Sequence, residues 1–382
     1  MFTNLETYQS RFWLKEESLK KIGKSSSGFL LELFSRVDAL VDQDLVYYDH
    51  QMDMETCFEK YSFHEFKWHQ TPNGDMEWVF MLNRQGYLVD LAVASYLTKD
   101  EKYLKKWKEI VFDFILENEK ETSHPEASWR VLDAGIRLMN WVKSLTYLPL
   151  SEFSEVERKQ IQEAMILHAN YIRTHLQEKH LLSNWGVLAV SGVLSFVYFS
   201  NEQPELYIWA KETLLKQASL QFTKKGLHWE QSPLYHHQVV MCFAYLYQIA
   251  CYMGYEDQHL WKEVLIEPIR ASYYLSNSNH MLLALNDSDT VDFSWVHSYY
   301  HLLGFKSECP EYTMGVLYSG RAFDKKHKVN FDEWFYDEVG GLAVVKSSDI
   351  YFSLFCGLHG SSHAHASHGS ISLEMDGVHF VT

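Results

Sequence analysis

Apolar residues return every three to four positions over most of the chain, the spacing that gives a helix one buried face. In EWVFMLNRQGYLVDLAVASYLTKD the repeating positions are Trp78, Leu82, Tyr87, Leu91 and Tyr96, and in EKYLKKWKEIVFDFILEN they are Tyr103, Trp107, Ile110, Phe114 and Ile115. A larger unit recurs: a helix closing on an aromatic residue, a short polar link, and a helix opening with Tyr or Trp. It is read in SYLTKDEKYLKKW (95–107), VYFSNEQPELYIWA (197–210) and CYMGYEDQHLWKEV (251–264). The links are unevenly spaced, which excludes a strict solenoid repeat. Helical hairpins with short connections bury their stripes against one another, and an α/α toroid or partial barrel is predicted for residues 1–325. Such a toroid leaves a cleft at one end, where loops present polar and aromatic groups.

After about residue 330 the period falls to two. GGLAVVKSSDIYFSLFCG (340–357) reads as two strands, and SISLEMDGVHFVT (370–382) as two more joined by Asp376-Gly377, a strong hairpin signal. The fold class predicted is therefore mainly α, with residues 326–382 as the first strands of a truncated antiparallel β-sandwich. Four strands have a face to bury, either on the helices or in a closed sandwich, and the sandwich is the favoured expectation. Because Thr382 interrupts the last strand, the chain is expected to be a fragment or a truncated gene product.

Composition narrows the function. Lys and Arg number 34 against 50 Asp and Glu, a net charge of −16 with no basic run, which argues against nucleic acid as a partner. Aromatic residues form 15% of the chain, which excludes disorder. No signal peptide or bilayer-length apolar run is visible, so no membrane association and a cytoplasmic location are expected. Five cysteines without a CxxC pair fit a reducing compartment. GxGxxG, Walker A, HExxH and GxSxG motifs are missing, which argues against nucleotide, zincin and hydrolase-elbow chemistry.

Four clusters are candidates for chemistry. In HLLSNWGVLAVSGV (180–193), Asn184 is either a helix cap or an amide donor to an anionic ligand, and Trp185 either core or a stacking face. GLHWEQSPLYHHQVV (226–240) opens a helix at Pro233 with Tyr235, His236 and His237 in its first turn, preceded by His228, Trp229, Glu230 and Gln231. Tyr and His there form a candidate acid/base pair, the alternative being aromatic packing. LNDSDTVDFSW (285–295) offers Asp287, Asp289 and Asp292, to orient sugar hydroxyls, to hold a histidine in one tautomer, or merely to be solvated. HGSSHAHASHGS (359–370) carries His359, His363, His365 and His368, four of the chain's 20 histidines in ten residues, with His363 and His365 on one face of an extended segment.

The order EWVFMLNR, AGIRLMNW, HLLSNWGVL, EQSPLYHH, NDSD and HAHASHGSISLEMDG resembles the heparinase II/III family of polysaccharide lyases over essentially the whole chain. The resemblance implies an incomplete toroid followed by a β-sandwich, cleaving uronate-containing poly- or oligosaccharides by β-elimination. It assigns Asn184 to neutralise the uronate carboxylate and Tyr235 to protonate the leaving oxygen and, as in some members, to abstract the C5 proton as well. His363 becomes a cleft histidine, with His236 or His237 as further candidates for the base. Trp185 and Trp229 are expected to stack on sugar rings, and Glu230, Gln231, Arg84 and Asp287 to contact substrate. Arg130 and Arg137 are further sources of local positive charge, or else salt bridges between helices. No cofactor is required for the chemistry; a structural zinc is implied at His365, its remaining ligands lying beyond the chain end. Two positions depart from the family pattern: Ser367 where many members have Asp, and Trp185 where many have His. The runner-up readings are a glycoside hydrolase pairing Glu230 with Asp287 or Asp289, and a non-catalytic carbohydrate-binding protein.

Overall fold

A computed structural model describes residues 1–48, 59–63, 68–118, 124–200, 203–321, 330–358 and 363–381. The helices are α1 (Phe2–Phe12), α2 (Glu16–Ile22), α3 (Gly28–Gln43), α4 (Met76–Arg84), α5 (Tyr87–Thr98), α6 (Glu101–Glu117) and α7 (Val131–Leu145). They continue as α8 (Glu155–His175), α9 (Asn184–Val197), α10 (Pro204–Gln221), α11 (Pro233–Met253), α12 (Gln258–Tyr274), α13 (Ser294–Leu302) and α14 (Tyr312–Ser319). A two-residue pairing joins β1 (Leu45–Val46) to β2 (Tyr61–Ser62), and an antiparallel sheet follows in the order β3 (Trp334–Asp337), β4 (Leu342–Lys346), β5 (Ile350–Phe355), β6 (Ser370–Met375), β7 (Val378–Val381). This is the element order of an incomplete α/α toroid followed by part of an antiparallel β-sandwich.

Contacts divide the chain into two compact units. The first holds Met1–His180 and Trp185–Leu214, and the second holds Leu181–Asn184 and Leu215–Thr382. The expected boundary at 325/326 falls in 322–329, outside the described residues.

In the first unit the helical hairpins form for local reasons. Lys99 turns the chain at φ 61°, and the Asp100 side chain then accepts from Lys102 N to start α6. Helix α8 opens on a reciprocal capping box of Ser154 and Glu157. Helices α7 and α9 pass backbone against backbone: a Cβ on Gly135 would stand 2.2 Å from Ala189 Cα, and one on Gly192 2.1 Å from Gly135 O. Only glycine at both positions permits that approach. Arg137 is fully buried there, donating to His168 Nε2 (2.8 Å), Asn83 O (2.7 Å) and Ser128 O (2.8 Å). Burial lowers its pKa to about 9. Of its two expected roles, Arg137 thus takes the structural one.

In the second unit α11 starts at Pro233, with Ser232 as N-cap accepting from Tyr235 N, and ends at Gly254 in the left-handed region. The sheet has one strand more than the four predicted, because β3 pairs with β4 through Trp334↔Val345 to Asp337↔Leu342. Asp376 and Gly377 both turn with positive φ, as the hairpin signal requires, so that Met375 faces Val378. One face of this part of the sandwich packs on helices. Phe335, Leu342, Val344, Tyr351 and Phe355 share a core with Leu227, Ala271, Tyr274, Leu275, Leu283 and Leu285. Lys346 Nζ fastens this layer by donating to Tyr273 O (2.7 Å) and Ser276 O (2.9 Å).

Candidate functional site

The second unit brings the separated motifs together. The opening of α11 places Tyr235 half-buried, and its ring stacks on the His363 imidazole with centroids 3.7 Å and planes 23° apart. His363 Nδ1 lies 2.8 Å from Asp287 Oδ2, and Asp287 N donates to His363 O at 3.2 Å. A carboxylate only accepts, so Nδ1 carries the proton and a neutral His363 keeps its lone pair on Nε2. Of the roles open to Asp287, the structure therefore shows it holding a histidine tautomer.

The loop bearing Asp287 is itself fastened on both sides. Ser232 Oγ donates to Asp287 O (2.8 Å), Leu234 N to Ser288 Oγ (3.2 Å), and Asn286 Nδ2 to Gln231 O (2.8 Å), which tie it to the start of α11. His365 N donates to Asn286 Oδ1 at 3.1 Å, which ties it to the histidine segment. Three stretches distant in sequence thus hold Tyr235 and His363 in register.

Asn184 is 2% exposed at the N-terminus of α9. Its backbone N–H donates to Glu230 Oε1 (3.2 Å), and its side-chain Nδ2 lies 3.5 Å from Gln238 Oε1, one turn along α11 from Tyr235. Glu230 is wholly buried, and burial pushes its carboxyl up to about 7, against the lowering effect of the Asn184 N–H. Expected to meet substrate, Glu230 instead lies in the interior beside Asn184. Gln231 is half-buried at φ 61°, and Trp229 is half-buried.

His236 and His237 belong to the interior. His236 Nε2 faces Pro268 O (3.1 Å) and Ser272 Oγ (3.0 Å) on α12, and burial lowers its pKa to about 3. His237 is held well below the usual imidazole range by burial and approaches Tyr300 OH at 3.3 Å. Neither ring joins Tyr235, and the histidine stacked on it comes from the distant segment instead. In the first unit Arg84 and Arg130 clamp the buried Asp133 at 2.8 and 2.7 Å. The Arg130 guanidinium also lies 3.3 Å above the Phe80 ring and 5.0 Å from that of Trp185, which is 37% exposed. Arg84 is thus engaged in a salt bridge between α4 and α7.

His365 is exposed, and among the described residues no group of three or more His, Cys, Asp or Glu side chains could hold a metal ion. The resemblance puts the other zinc ligands beyond the chain end, and His359 lies outside the described residues. Among the described residues no helix is long and apolar enough to cross a membrane. What sequence reasoning missed is the set around Asn184, formed by Gln221, His228, Glu230 and Gln238. Of these only the density of polar residues at 228–231 gave a signal.

Comparison with known proteins bears on the family and the fold. The family model of the heparinase II/III N-terminus matches residues 24–308. A heparin-sulfate lyase of Bacteroides thetaiotaomicron is 24% identical over 276 residues, which are 65% of this chain and 38% of that protein. The crystal structure of heparinase III superposes with a TM-score of 0.73 at 18% identity, over 98% of this chain and 61% of that one. That of the heparan sulfate lyase of Pedobacter heparinus gives 0.64 at 17% identity, over 98% and 59%. The chain therefore spans less than two thirds of the length of these relatives. With three quarters of its length matched by the family model, this chain belongs to the heparinase II/III family.

Proposed function

We propose that this chain carries the catalytic groups of a lyase that cleaves uronate-containing poly- or oligosaccharides by β-elimination. The supporting observation is the Tyr235–His363–Asp287 assembly, a phenol stacked on an imidazole whose tautomer a carboxylate fixes. The C5 proton of a uronate is only weakly acidic. Its removal requires the adjacent carboxylate to be neutralised and the enolate charge to be stabilised, the task assigned to Asn184. His363 Nε2 takes the C5 proton from within about 3 Å. The electron pair forms the C4–C5 double bond, the C4–O bond breaks, and Tyr235 gives its hydroxyl proton to the leaving oxygen. Trp185 and Trp229 supply flat faces for sugar rings.

A hydrolase would need two carboxylates facing across a cleft. Glu230 is fully buried and Asp287 is bound to His363, so neither is arranged for that pairing. A panel of uronate glycans decides the matter: elimination raises ultraviolet absorbance in step with new reducing ends. Reducing ends that rise without absorbance would refute the lyase reading.

A further inference from the structure

Asn184 rests in a cradle of side chains that the elimination chemistry leaves unused. Gln221, the last residue of α10, donates through Nε2 to Leu181 O (2.8 Å) and Ser183 O (3.1 Å). Its Oε1 is then the acceptor facing His228 Nε2 at 2.8 Å, which makes His228 the Nε2–H tautomer. Burial holds His228 well below the usual imidazole range, so the ring is neutral and Nδ1 carries a lone pair. That atom lies 3.7 Å from Glu230 Oε2, while Glu230 Oε1 accepts from Asn184 N. Gln221 and Glu230 are 0% exposed and His228 2%. Leu181–Asn184 group with the second unit although the residues on both sides of them belong to the first, and the bonds from Gln221, Glu230 and Gln238 account for it.

We propose that Gln221, His228 and Glu230 form a buried positioning relay that sets Asn184 for its substrate, with the Glu230 carboxyl working in its protonated form. The inference rests on the reading of Asn184 as the group that meets the uronate carboxylate. A protonated Oε2–H would face the His228 lone pair across 3.7 Å, a gap that a small side-chain adjustment closes, and a neutral carboxyl does not repel the anionic sugar. The burial that raises Glu230 toward neutrality favours the same state. His228 faces Glu230 from the approach to α11, while His236 on α11 and His363 act electrostatically on His228. Asn184 and Gln238 are uncharged.

Glu230→Ala and Glu230→Gln test the relay, with hydrogen exchange of the 181–184 segment read beside turnover of a uronate glycan. In Glu230→Ala, exchange in that segment speeds up about tenfold or more, and kcat/KM falls about ten- to hundredfold as Asn184 loses its station. Glu230→Gln offers an acceptor to Asn184 N–H and a donor to His228 Nδ1, and so restores most of both. It also abolishes any fall in kcat/KM that the wild type shows as pH rises through about 7. Unchanged exchange in Glu230→Ala, or a Glu230→Gln variant as impaired as Glu230→Ala, overturns the relay. Where Glu230→Ala does not fold, Glu230→Gln decides alone, loss of segment protection being the refuting result. Exchange is read without substrate, so an absence of uronate turnover by the wild type, with exchange as described, refutes the proposed function and not the cradle.

Discussion

Two of the carboxylate–imidazole pairs in the second unit have opposite settings. Asp287 and His363 meet at 2.8 Å with half of the aspartate side chain exposed, and the free face of the imidazole stacks on Tyr235. Glu230 and His228 stand 3.7 Å apart with no exposed side-chain surface. The first pair is open to solvent, which suits an imidazole that must take and return a proton. Around the second pair, burial disfavours charge on either partner, so both are pushed toward the neutral form. On the proposed reading, the same two side-chain types serve proton transfer in one place and positioning in the other, and solvent access decides which.

The largest expected effect breaks the comparison at the exposed pair. Tyr235→Phe keeps the ring stack but loses the hydroxyl, and kcat on a uronate glycan should fall about 10²- to 10⁴-fold with substrate binding retained in equilibrium titration. Full activity in that variant would remove Tyr235 from its role. The buried pair comes next. Folding moves the Glu230 carboxyl from 4.5 to about 7, so the folded state holds that proton more tightly than the unfolded chain. Its effect is least costly at low pH, and stability declines as pH rises through about 7, by up to about 3 kcal/mol. Glu230→Gln should flatten that decline in urea midpoints measured from about pH 5 to about pH 8, whereas Asp287→Asn should leave it in place.

Asp287→Asn probes the exposed pair in the opposite sense. The amide no longer fixes the Nδ1–H tautomer, and kcat should fall about ten- to hundredfold with the fold intact by circular dichroism. The smallest effect lies in the first unit: Trp185→Ala removes a stacking face and should raise KM about three- to tenfold without changing kcat. A change confined to kcat would give Trp185 a different part.

Much of the helical region was legible because its signals are local. The apolar period, the Pro233 helix start and the Asp376-Gly377 turn each act within a turn of where they stand in sequence. Strand β3 was missed because Trp334–Asp337 is only four residues long, and its two exposed aromatics hide the alternation. The site was legible in its members but not in its pairings. His363 and Asp287 are separated by 76 positions and Asn184 and Glu230 by 46, distances over which no periodicity carries information. Burial was the hardest property to foresee. A glutamate or an arginine is exposed by default, and Glu230 and Arg137 become interior only through partners contributed by remote segments. His236 and His237 were misleading for the same reason, since a first-turn position says nothing about which face α12 and α13 will cover.

The claim of β-elimination through Tyr235 and His363 is tested most directly by a uronate oligosaccharide deuterated at C5. With the wild-type chain, the account predicts loss of deuterium to solvent, stoichiometric with an unsaturated uronate at the new non-reducing end, and neither event in Tyr235→Phe at the same enzyme concentration. Cleavage that retains the C5 deuterium and yields a saturated sugar would contradict it.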